Sequence, residues 1–431
     1  MVKEAKEMAV QRNDTSLTLK ANERYVQALL WNGKLSEAKT QIGELEKVHP
    51  NNSTINSLWA TYGMYSGKLN KSLEHYKQIL QRDSTSFDGN LGIANTYREK
   101  GELTKAYNYA KKTLKYYPNQ KDAMGLVKTI ETGLSPSINT TATYTIDNGD
   151  NEAYSFAAQT EIPWSERFVT TFGYNYRTTQ NLKSKEMAYN TNASLGLKYR
   201  LLNNTWVEGQ LGFIKANATS NDYQDINGSI SLKSRLFSLQ YLELEYRREL
   251  QNFNASLIDK KIFMNNFKFN YNMGTNFGLG WYTSYIFTTQ TDSNTRNLLF
   301  TSLYYTITKH PNIKAGVNYQ FLNFKNQIPE LYFSPSKYQS LEVFIDVSGK
   351  LKSLNYSVNV AGGYQYVEDN STTSLFRMEG KLDYTATNRL KLGVYAKYSN
   401  NASETASGFQ FTEVGFKLRW QLTKKPLFKF N

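Results

Sequence analysis

The chain contains no cysteine and only three histidines among its 431 residues. The absence of cysteine excludes disulfides, cysteine nucleophiles and cysteine-ligated zinc or iron–sulfur sites. His49, His75 and His310 lie far apart in the sequence, so a histidine-rich metal site and a histidine-activated nucleophile are both poorly supplied. No glycine-rich phosphate loop followed by Lys and Ser or Thr occurs. We therefore predict a protein that is not an enzyme, with no catalytic residue, no metal and no cofactor.

Long apolar runs are also missing, and none approaches the ~18 residues of a membrane-spanning helix. The first residues lack the apolar core of ~7–15 residues that a signal peptide requires. Acidic residues are fewer than basic ones: 37 Asp and Glu against 51 Lys and Arg give a net charge of +14. Together with 14% aromatic residues, this balance excludes an acidic disordered protein. The basic residues form no recognisable nucleic-acid-binding module, so no nucleic-acid partner is expected.

The N-terminal third of the chain repeats itself every 34 residues. The repeated positions are Gly33, Gly67 and Gly101; Ala38, Ser72 and Ala106; and, two periods apart, Pro50 and Pro118. A period of ~34 residues is typical of tetratricopeptide (TPR) repeats, which are pairs of helices. We expect each glycine to end a first helix in the left-handed conformation, and each small residue to lie where the two helices approach. The prolines should follow the second helix.

The turn sequences of residues 31–38 (WNGKLSEA) and 99–106 (EKGELTKA) resemble the turn of a TPR. We predict three repeats over about residues 18–119, a capping helix over 122–132, and the remnant of an earlier helix over 1–17. Together they form a solenoid over residues 1–134. Such a solenoid is either a docking surface for a partner or only a stable spacer.

From residue 137 the hydrophobic period changes from 3.6 to 2. In residues 389–398 (RLKLGVYAKY) one face carries Leu, Leu, Val, Ala and Tyr, and the other carries Arg, Lys, Gly, Tyr and Lys. Sixteen such segments lie between residues 137 and 421, each long enough for a tilted strand to cross a bilayer, which needs ~9–11 residues. The predicted fold is α+β and multidomain. An α-helical TPR solenoid is followed by a 16-stranded antiparallel transmembrane β-barrel over 135–422 and a short tail over 423–431.

Two kinds of connection alternate along this region. Short turns follow the even segments, as at 202–203 and 386–387, whereas longer polar loops follow odd segments at 179–185, 216–222, 251–260, 326–336 and 401–406. Short turns on one rim and long loops on the other are typical of outer-membrane barrels, whose short turns face the periplasm. We therefore predict a bacterial outer-membrane protein with the solenoid and the tail in the periplasm. Because such a barrel must be exported, the chain is expected to be a mature or shortened form. A large soluble β-sandwich is the alternative.

A sixteen-stranded barrel is too wide for inward side chains to fill it, so a channel is expected. By alternation, a basic mouth near the short-turn rim that attracts anionic solutes comprises Lys198, Arg200, Lys233, Arg235, Lys314, Lys350, Lys381, Arg389, Lys391, Lys417 and Arg419. Pairing with carboxylates is the alternative, and the acidic lumen residues are Glu208, Glu243, Glu245, Glu342 and Glu379. The residues predicted to stack on sugars are Tyr241, Phe344 and Tyr395. Those predicted to bind sugar hydroxyls are Asn190, Asn192, Asn270, Asn318, Asn355 and Asn359.

The order of TPR solenoid, short linker and sixteen-stranded barrel resembles the outer-membrane exporters of exopolysaccharides, those for poly-N-acetylglucosamine and cellulose in particular. Residues 415–420 (GFKLRW) are similar to the last strand of YaiO-type proteins. The resemblance implies polysaccharide transport out of the periplasm for a capsule or biofilm matrix. It implies contact with lipid and polysaccharide, and with an inner-membrane synthase complex or periplasmic proteins through the TPR arm. The basic balance favours a neutral or acidic polymer. A general or solute-selective porin and a structural outer-membrane anchor are alternatives.

Overall fold

The computed structural model describes residues 4, 7–8, 15–237, 239–401 and 410–430. The chain divides into two compact units. One comprises Met1–Gly133 with Phe428–Asn431, and the other comprises Leu134–Leu427.

Seven successive helices of the first unit are described. They are α1 (Thr15–Trp31), α2 (Leu35–Val48), α3 (Ser53–Tyr65), α4 (Leu69–Arg82), α5 (Phe87–Glu99), α6 (Leu103–Tyr116) and α7 (Lys121–Gly133). The starts of α2, α4 and α6 are spaced as the repeated glycines are, which confirms the period found in the sequence. The predicted helix remnant over 1–17 falls mostly outside the described residues. None of the described helices combines the length and the apolarity that a membrane-spanning helix requires.

The three repeated glycines end α1, α3 and α5 in the predicted left-handed conformation, with φ of 73°, 74° and 76°. At the end of α3, the Gly67 amide donates to the Met64 carbonyl (3.2 Å) and the Lys68 amide donates to the Gly63 carbonyl (2.7 Å). These two bonds form a Schellman motif, which satisfies carbonyls that a helix end leaves open. The same pair of bonds recurs at Gly33 and Gly101.

The small residues of the repeat lie where neighbouring helices approach most closely. Ala38, Ser72 and Ala106 are fully buried. A Cβ added to Gly63 of α3 would lie 3.0 Å from the Cβ of Ser72 on α4, so larger residues at this crossing would force the helices apart. This close approach confirms the role predicted for the small residues, whereas membership of the TPR family stays a prediction.

Two glycine substitutions should change the stability of the helical unit in opposite directions. Gly67→Ala places a Cβ in the left-handed conformation and should destabilise the unit by about 1–2 kcal/mol. Gly43→Ala is the control, because Gly43 lies inside α2 with no atom within 4 Å of the added Cβ. It should stabilise the unit by about 0.5–1 kcal/mol. Thermal melting of the full chain in detergent, followed by the helical circular dichroism signal at 222 nm, measures both. Equal melting of the two variants would contradict this account.

The described residues of the second unit form sixteen strands and one short helix. The strands are β1 (Ser137–Asp147), β2 (Asn151–Pro163), β3 (Phe168–Asn181), β4 (Met187–Leu202), β5 (Thr205–Asn217), β6 (Asp222–Ser234), β7 (Gln240–Leu250), β8 (Phe263–Gly274), β9 (Leu279–Gln290), β10 (Thr295–Lys309), β11 (Asn312–Phe324), β12 (Tyr338–Leu351), β13 (Leu354–Val367), β14 (Thr373–Thr385), β15 (Leu390–Ser399) and β16 (Phe411–Gln421). The short helix α8 (Ala255–Asp259) lies between β7 and β8.

The strands close into an antiparallel barrel in which each strand pairs with the next in sequence. Closure is made by β1 and β16, which pair from Ser137 opposite Gln421 to Asp147 opposite Phe411. The predicted sixteen-stranded barrel is thus confirmed. Both ends of the barrel segment lie on the rim that carries the turns after even strands, which we call the short-turn rim.

The predicted contrast between the two rims is confirmed for only some connections. Strand β3 continues to Asn181 and β5 continues to Asn217, so the loops predicted at 179–185 and 216–222 shrink to 182–186 and 218–221. The prediction was wrong there because polar residues continue the strand ladders instead of leaving them. The connections at 251–262, 325–337 and 400–410 are long, and residues 402–409 of the last lie outside the described residues. We call this side the long-loop rim.

The outer face of the barrel is apolar, as β12 illustrates. Leu341, Val343 and Ile345 are 51%, 64% and 54% exposed, whereas the intervening Glu342 faces the interior and is 3% exposed. Large apolar side chains are exposed in the same alternation on strands around the barrel. Patches of this extent are rare on soluble monomers and typical of surfaces that contact lipid. The described strands all belong to the one closed barrel, so they form no second layer of sheet over these side chains, as the sandwich alternative would require.

Candidate functional site

The basic residues predicted to line the lumen fall into three groups: those in ion pairs with carboxylates, those over aromatic rings, and those without an ion pair among the described residues. Ion pairs link Lys198 to Glu161 (2.6 Å), Arg200 to Glu166 (3.0 Å), Lys233 to Glu208 (2.7 Å) and Lys381 to Glu379 (2.6 Å). The Nζ atoms of Lys314 and Lys417 lie 5.1 Å and 4.4 Å from the ring centres of Tyr304 and Tyr395. Among the described residues, no carboxylate forms an ion pair with Arg235, Lys350, Arg389, Lys391 or Arg419. Pairing therefore neutralises part of the basic mouth and leaves another part uncompensated.

The predicted acidic residues all have polar partners inside the barrel. Glu243 accepts a hydrogen bond from the Asn270 side chain (2.7 Å), Glu245 pairs with Arg247, and Glu342 lies 3.5 Å from Arg377. The sequence analysis missed Glu161, Arg247 and Arg377 as lumen residues. Alternation along the strands could have identified all three. Arg247 on β7 and Arg377 on β14 each lie two residues from a glutamate already assigned to the lumen. Glu161 lies on the face of β2 opposite its exposed apolar side chains.

Two uncompensated cations lie side by side near the short-turn rim. Lys391 on β15 is directly opposite Arg419 on β16. Like charges at directly opposed positions destabilise a sheet, and neither side chain forms an ion pair with a carboxylate of the described residues. The two adjacent positive charges create a positive electrostatic potential at this rim, which attracts anionic solutes.

Removing this pair should lower the preference of the channel for anions. The double variant Lys391→Gln/Arg419→Gln should shift the reversal potential under a KCl gradient toward cation selectivity in planar bilayers. The control Lys424→Gln/Lys425→Gln changes the formal charge by the same amount in the tail beyond β16. It should leave the reversal potential within experimental error. An unchanged value for the first variant would show that these two side chains do not set selectivity.

The connection between β7 and β8 folds into the mouth of the barrel at the long-loop rim. Its backbone carbonyl at Asn252 accepts a hydrogen bond from Arg177 Nε on β3 (2.9 Å), and its Asn252 side chain donates to Asn190 on β4 (3.2 Å). The Phe253 ring lies 5.9 Å from the ring of Phe411 on β16. Because β3 and β16 are distant from β7 around the ring of strands, the segment must cross the interior to make these contacts. We call residues 251–262 the constriction loop.

Apolar side chains hold the constriction loop in place. Leu257 of α8 is fully buried and packs in a cluster with Ile262 of the same loop and with Leu322, Tyr332 and Tyr338. The Asn254 side chain caps α8 by accepting from the Leu257 amide (2.9 Å). At the other end of the helix, the Asp259 carboxylate accepts hydrogen bonds from the amides of Ser220 (2.7 Å) and Asn221 (3.1 Å).

The connection 325–337 joins the same cluster from the other side. Asn294 donates to the Tyr332 hydroxyl (2.8 Å), which donates to the Asp292 carboxylate (2.7 Å). Burial, together with this bond to Asp292, raises the pKa of Tyr332 above its usual value. The phenol therefore stays protonated, and remains a hydrogen-bond donor, throughout the physiological pH range.

Two cavities flank the narrowed region and share Arg177, Glu249, Leu250 and Asn252. The amide cavity, of about 360 Å³, is lined by polar side chains that include Asn190, Asn192, Gln210 and Asn227. The aromatic cavity, of about 380 Å³, is lined by rings from the two inward loops and from β11 and β16. At this level, residues of the two loops occupy part of the mouth, a feature that strand number alone did not predict. Apolar residues in both loops, at Leu257, Ile258 and 331–333, were the feature of the sequence that could have indicated this inward folding.

The predicted sugar-binding residues are scattered along the interior. Tyr395 lies flat over Gly415, where a Cβ would overlap the ring, and Lys417 lies over the ring. Phe344 leans toward Gly316 in the same way, and Tyr241 is among the exposed aromatic residues. Of the asparagines, Asn190 holds the constriction loop and Asn270 binds Glu243. Asn192 lines the amide cavity, Asn318 is buried, Asn359 is opposite Asp346, and Asn355 is opposite Lys350.

Within the described ranges, no group of three or more histidine, aspartate or glutamate side chains could hold a metal ion. His310 is exposed in the turn between β10 and β11. Asp147, the last residue of β1, accepts hydrogen bonds from the amides of Gly149 (2.8 Å) and Asn151 (3.0 Å). This acidic residue therefore has a structural role in shaping the turn.

Comparison with known proteins bears on the barrel. No family model matches the chain, and no curated protein shows significant similarity to it. Among solved structures, the chain is similar to one titled "Bacterial polysaccharide outer membrane secretin", with 12% identity and a TM-score of 0.56 over 67% of this chain and 99% of that one. CdiB from Acinetobacter baumannii matches with 10% identity and a TM-score of 0.41 over 66% of this chain and 60% of that one. OprB from Pseudomonas putida, in a low-pH structure, matches with 9% identity and a TM-score of 0.35 over 70% of this chain and 97% of that one. The first of these likenesses shows a shared barrel fold.

Proposed function

We propose that this protein is an outer-membrane channel that exports a polysaccharide from the periplasm to the cell surface. The observation that carries the proposal is the closed sixteen-stranded barrel with an apolar outside and a polar interior. The fold shared with a polysaccharide outer membrane secretin supports the choice of cargo. The protein carries out no covalent chemistry in this proposal and needs no cofactor.

The proposed location in the outer membrane follows from the way the barrel satisfies its backbone hydrogen bonds. A closed barrel satisfies every strand hydrogen bond internally, which is what a hydrocarbon environment demands. Short turns of such barrels face the periplasm, so the short-turn rim, where β1 begins and β16 ends, would be periplasmic. The helical unit precedes β1 and would therefore also be periplasmic.

The interior offers a polysaccharide many interchangeable contacts. Ion pairs such as Lys233–Glu208 present both donors and acceptors at the wall, and so do the side-chain amides of the amide cavity. Aromatic rings such as Phe344 add surfaces on which pyranose rings stack. A hydroxyl-rich chain can exchange one such partner for the next, so it slides without the cost of leaving a polar group unpaired.

The helical unit would supply the periplasmic docking site. Helical repeats stack into extended surfaces that bind partners. We propose that this unit receives the polymer or contacts an inner-membrane synthase complex or another periplasmic protein. Nucleic acid is not among the proposed partners.

Deletion of the gene tests the proposal when the polymer synthase remains intact. Secreted polymer, capsule or biofilm matrix should be lost, and wild-type protein supplied in trans should restore it. A strain that lacks the protein but secretes polymer at the normal level would reject the export function.

The constriction loop favours a second candidate, a solute-selective porin. A loop folded into the barrel mouth narrows the path for small solutes as well as for a polymer. Steady conductance and liposome swelling with monosaccharides, together with unchanged polymer secretion in the deletion strain, would favour the porin.

A further inference from the structure

The aromatic cavity lies against the constriction loop, at the narrowed level of the barrel. Its wall includes side chains from β1, β3, β7, β8, β10, β11 and β16, so it spans much of the interior. Its volume of about 380 Å³ falls in the ~300–1,000 Å³ range of small-molecule binding sites. Because these strands are spread around the ring of sixteen, the cavity faces the barrel interior.

Two pairs of aromatic rings line the cavity from different elements. Phe253 of the constriction loop lies 5.9 Å from Phe411 of β16, and Phe324 of β11 lies 5.6 Å from Tyr332. Phe253 and Phe333 are only partly buried, so parts of their rings face the cavity. Aromatic rings on the wall of a cavity favour the apolar faces of a pyranose ring.

The charged groups of the cavity are balanced. Arg177 and Arg296 line it together with Glu249 and Glu413. Arg296 donates to the Thr288 hydroxyl (3.1 Å), Thr288 donates to Asn266 (2.7 Å), and Asn266 donates to Glu249 (2.9 Å). This chain of bonds fixes the guanidinium across four neighbouring strands, β7 to β10.

One donor of this network is unsatisfied among the described residues. The Nε of Arg296 is buried and forms no hydrogen bond with any residue that the structure describes. A buried N–H without an acceptor is costly, and such groups are rare unless a ligand or water satisfies them. Arg296 therefore points to an acceptor that enters the cavity.

We propose that the aromatic cavity binds a unit of an uncharged, hydroxyl-rich saccharide. A sugar hydroxyl can accept from Arg296 Nε and donate to a carboxylate, and the ring can stack on Phe253 or Phe333. An acidic sugar would gain from the two arginines but would be repelled by Glu249 and Glu413. This inference rests on the proposed export function and narrows its cargo to a neutral polymer.

The amide cavity supports the same class of ligand. The side-chain carbonyls of Asn192 and Asn227 both lie near Gly212, and neither accepts a hydrogen bond within the described part of the chain. Hydroxyl groups donate to such acceptors, whereas a carboxylate cannot. The two adjoining cavities thus present one unsatisfied donor, at Arg296, and two unsatisfied acceptors, at Asn192 and Asn227.

Calorimetric titration of the full chain in detergent tests the proposal without requiring an open channel. The probes are two uncharged hexasaccharides, maltohexaose and laminarihexaose, and the charged hexagalacturonate. We expect at least one uncharged probe to bind more tightly than the charged one. Arg296→Lys, which keeps the charge but removes the Nε donor, should weaken that binding roughly tenfold, and so should Phe333→Leu.

Matched controls separate binding from folding. Arg167→Lys changes an exposed arginine in the turn between β2 and β3, and Phe277→Leu changes an exposed phenylalanine in the turn between β8 and β9. Both should bind the probes as the wild type does. The electrophoretic mobility of unheated and heated samples shows whether each barrel is folded, and a variant that fails this check is replaced by Arg296→Gln or Phe333→Met.

The outcomes distinguish this inference from the export function. Binding of neither uncharged probe, or tighter binding of hexagalacturonate, overturns the inference. So does unchanged affinity in folded Arg296→Lys and Phe333→Leu. If polymer secretion is nevertheless lost on deletion of the gene, the export function stands while the neutral-cargo inference fails. If uncharged probes bind as expected but secretion is unaffected by deletion, the site stands and the export function fails.

Discussion

Replacement of residues 252–261 by an Asn-Gly turn is expected to raise single-channel conductance several-fold. The constriction loop crosses the mouth to reach β3, β4 and β16, so its removal clears the narrowest level. Leu250 and Phe263 are directly opposite in the ladder, and a two-residue turn of this type can join neighbouring strands. Single-channel recording in planar bilayers measures the effect.

Shortening the connection 275–278 to Asn-Gly is the control for this deletion. It removes loop residues between β8 and β9 at the opposite rim, away from the constriction loop. Its conductance should equal that of the wild type. If both deletions, or neither, raise the conductance, then the loop does not form the limiting constriction.

The second large effect is expected from Leu257→Ala, which loosens the constriction loop without removing it. Leu257 is fully buried in the cluster that seats α8. Truncation of a buried leucine costs about 2–5 kcal/mol. If the loop moves as a unit, its seated population relative to the displaced one falls by at least ~30-fold, because about 1.4 kcal/mol corresponds to a factor of ten. The recording should show excursions to a second, higher conductance level.

Leu211→Ala removes the same atoms from a side chain that is 74% exposed on the outer face of β5. This control leaves no cavity in the interior and should keep the single conductance level of the wild type. A folded Leu257→Ala channel with the same steady level as this control would show that the cluster does not hold the loop.

The architecture was predictable because it rests on periodicity. The 34-residue period located the helices since each repeat needs a turn glycine such as Gly67 and a small residue such as Ser72 at the crossing. Alternation in β12 identified its lumen and outer faces because an inside-polar barrel separates Glu342 from Val343. Both signals are local, so a single sequence contains them.

The constriction was not predictable to the same degree because it depends on contacts across the barrel. Phe253 meets Phe411, and Arg177 meets the Asn252 carbonyl, although these residues are far apart in sequence and in strand order. The apolar residues of the loop indicate that other parts of the protein bury them, but the sequence does not show which residues do so. Loop lengths also misled, because the polar residues near Asn181 and Asn217 extend strands.

The basic mouth could be predicted only in part from the sequence. Alternation placed Lys198 and Lys233 on the inner face, but it gave no information on pairing across strands. Glu161 and Glu208 neutralise these two lysines. Register decides such pairs, and register is set by the whole ladder rather than by one strand.

Lipid quenching along β12 tests the central claim, a barrel that faces lipid outside and water inside. The cysteine-free chain accepts Val343→Cys, Phe344→Cys, Ile345→Cys and Asp346→Cys one at a time, each labelled with a bimane fluorophore in liposomes. The account predicts quenching by nitroxide-labelled lipid at positions 343 and 345, and quenching by aqueous iodide at 344 and 346. Uniform protection of 343 and 345 from the lipid quencher, or failure of the protein to enter the liposomes, would contradict it.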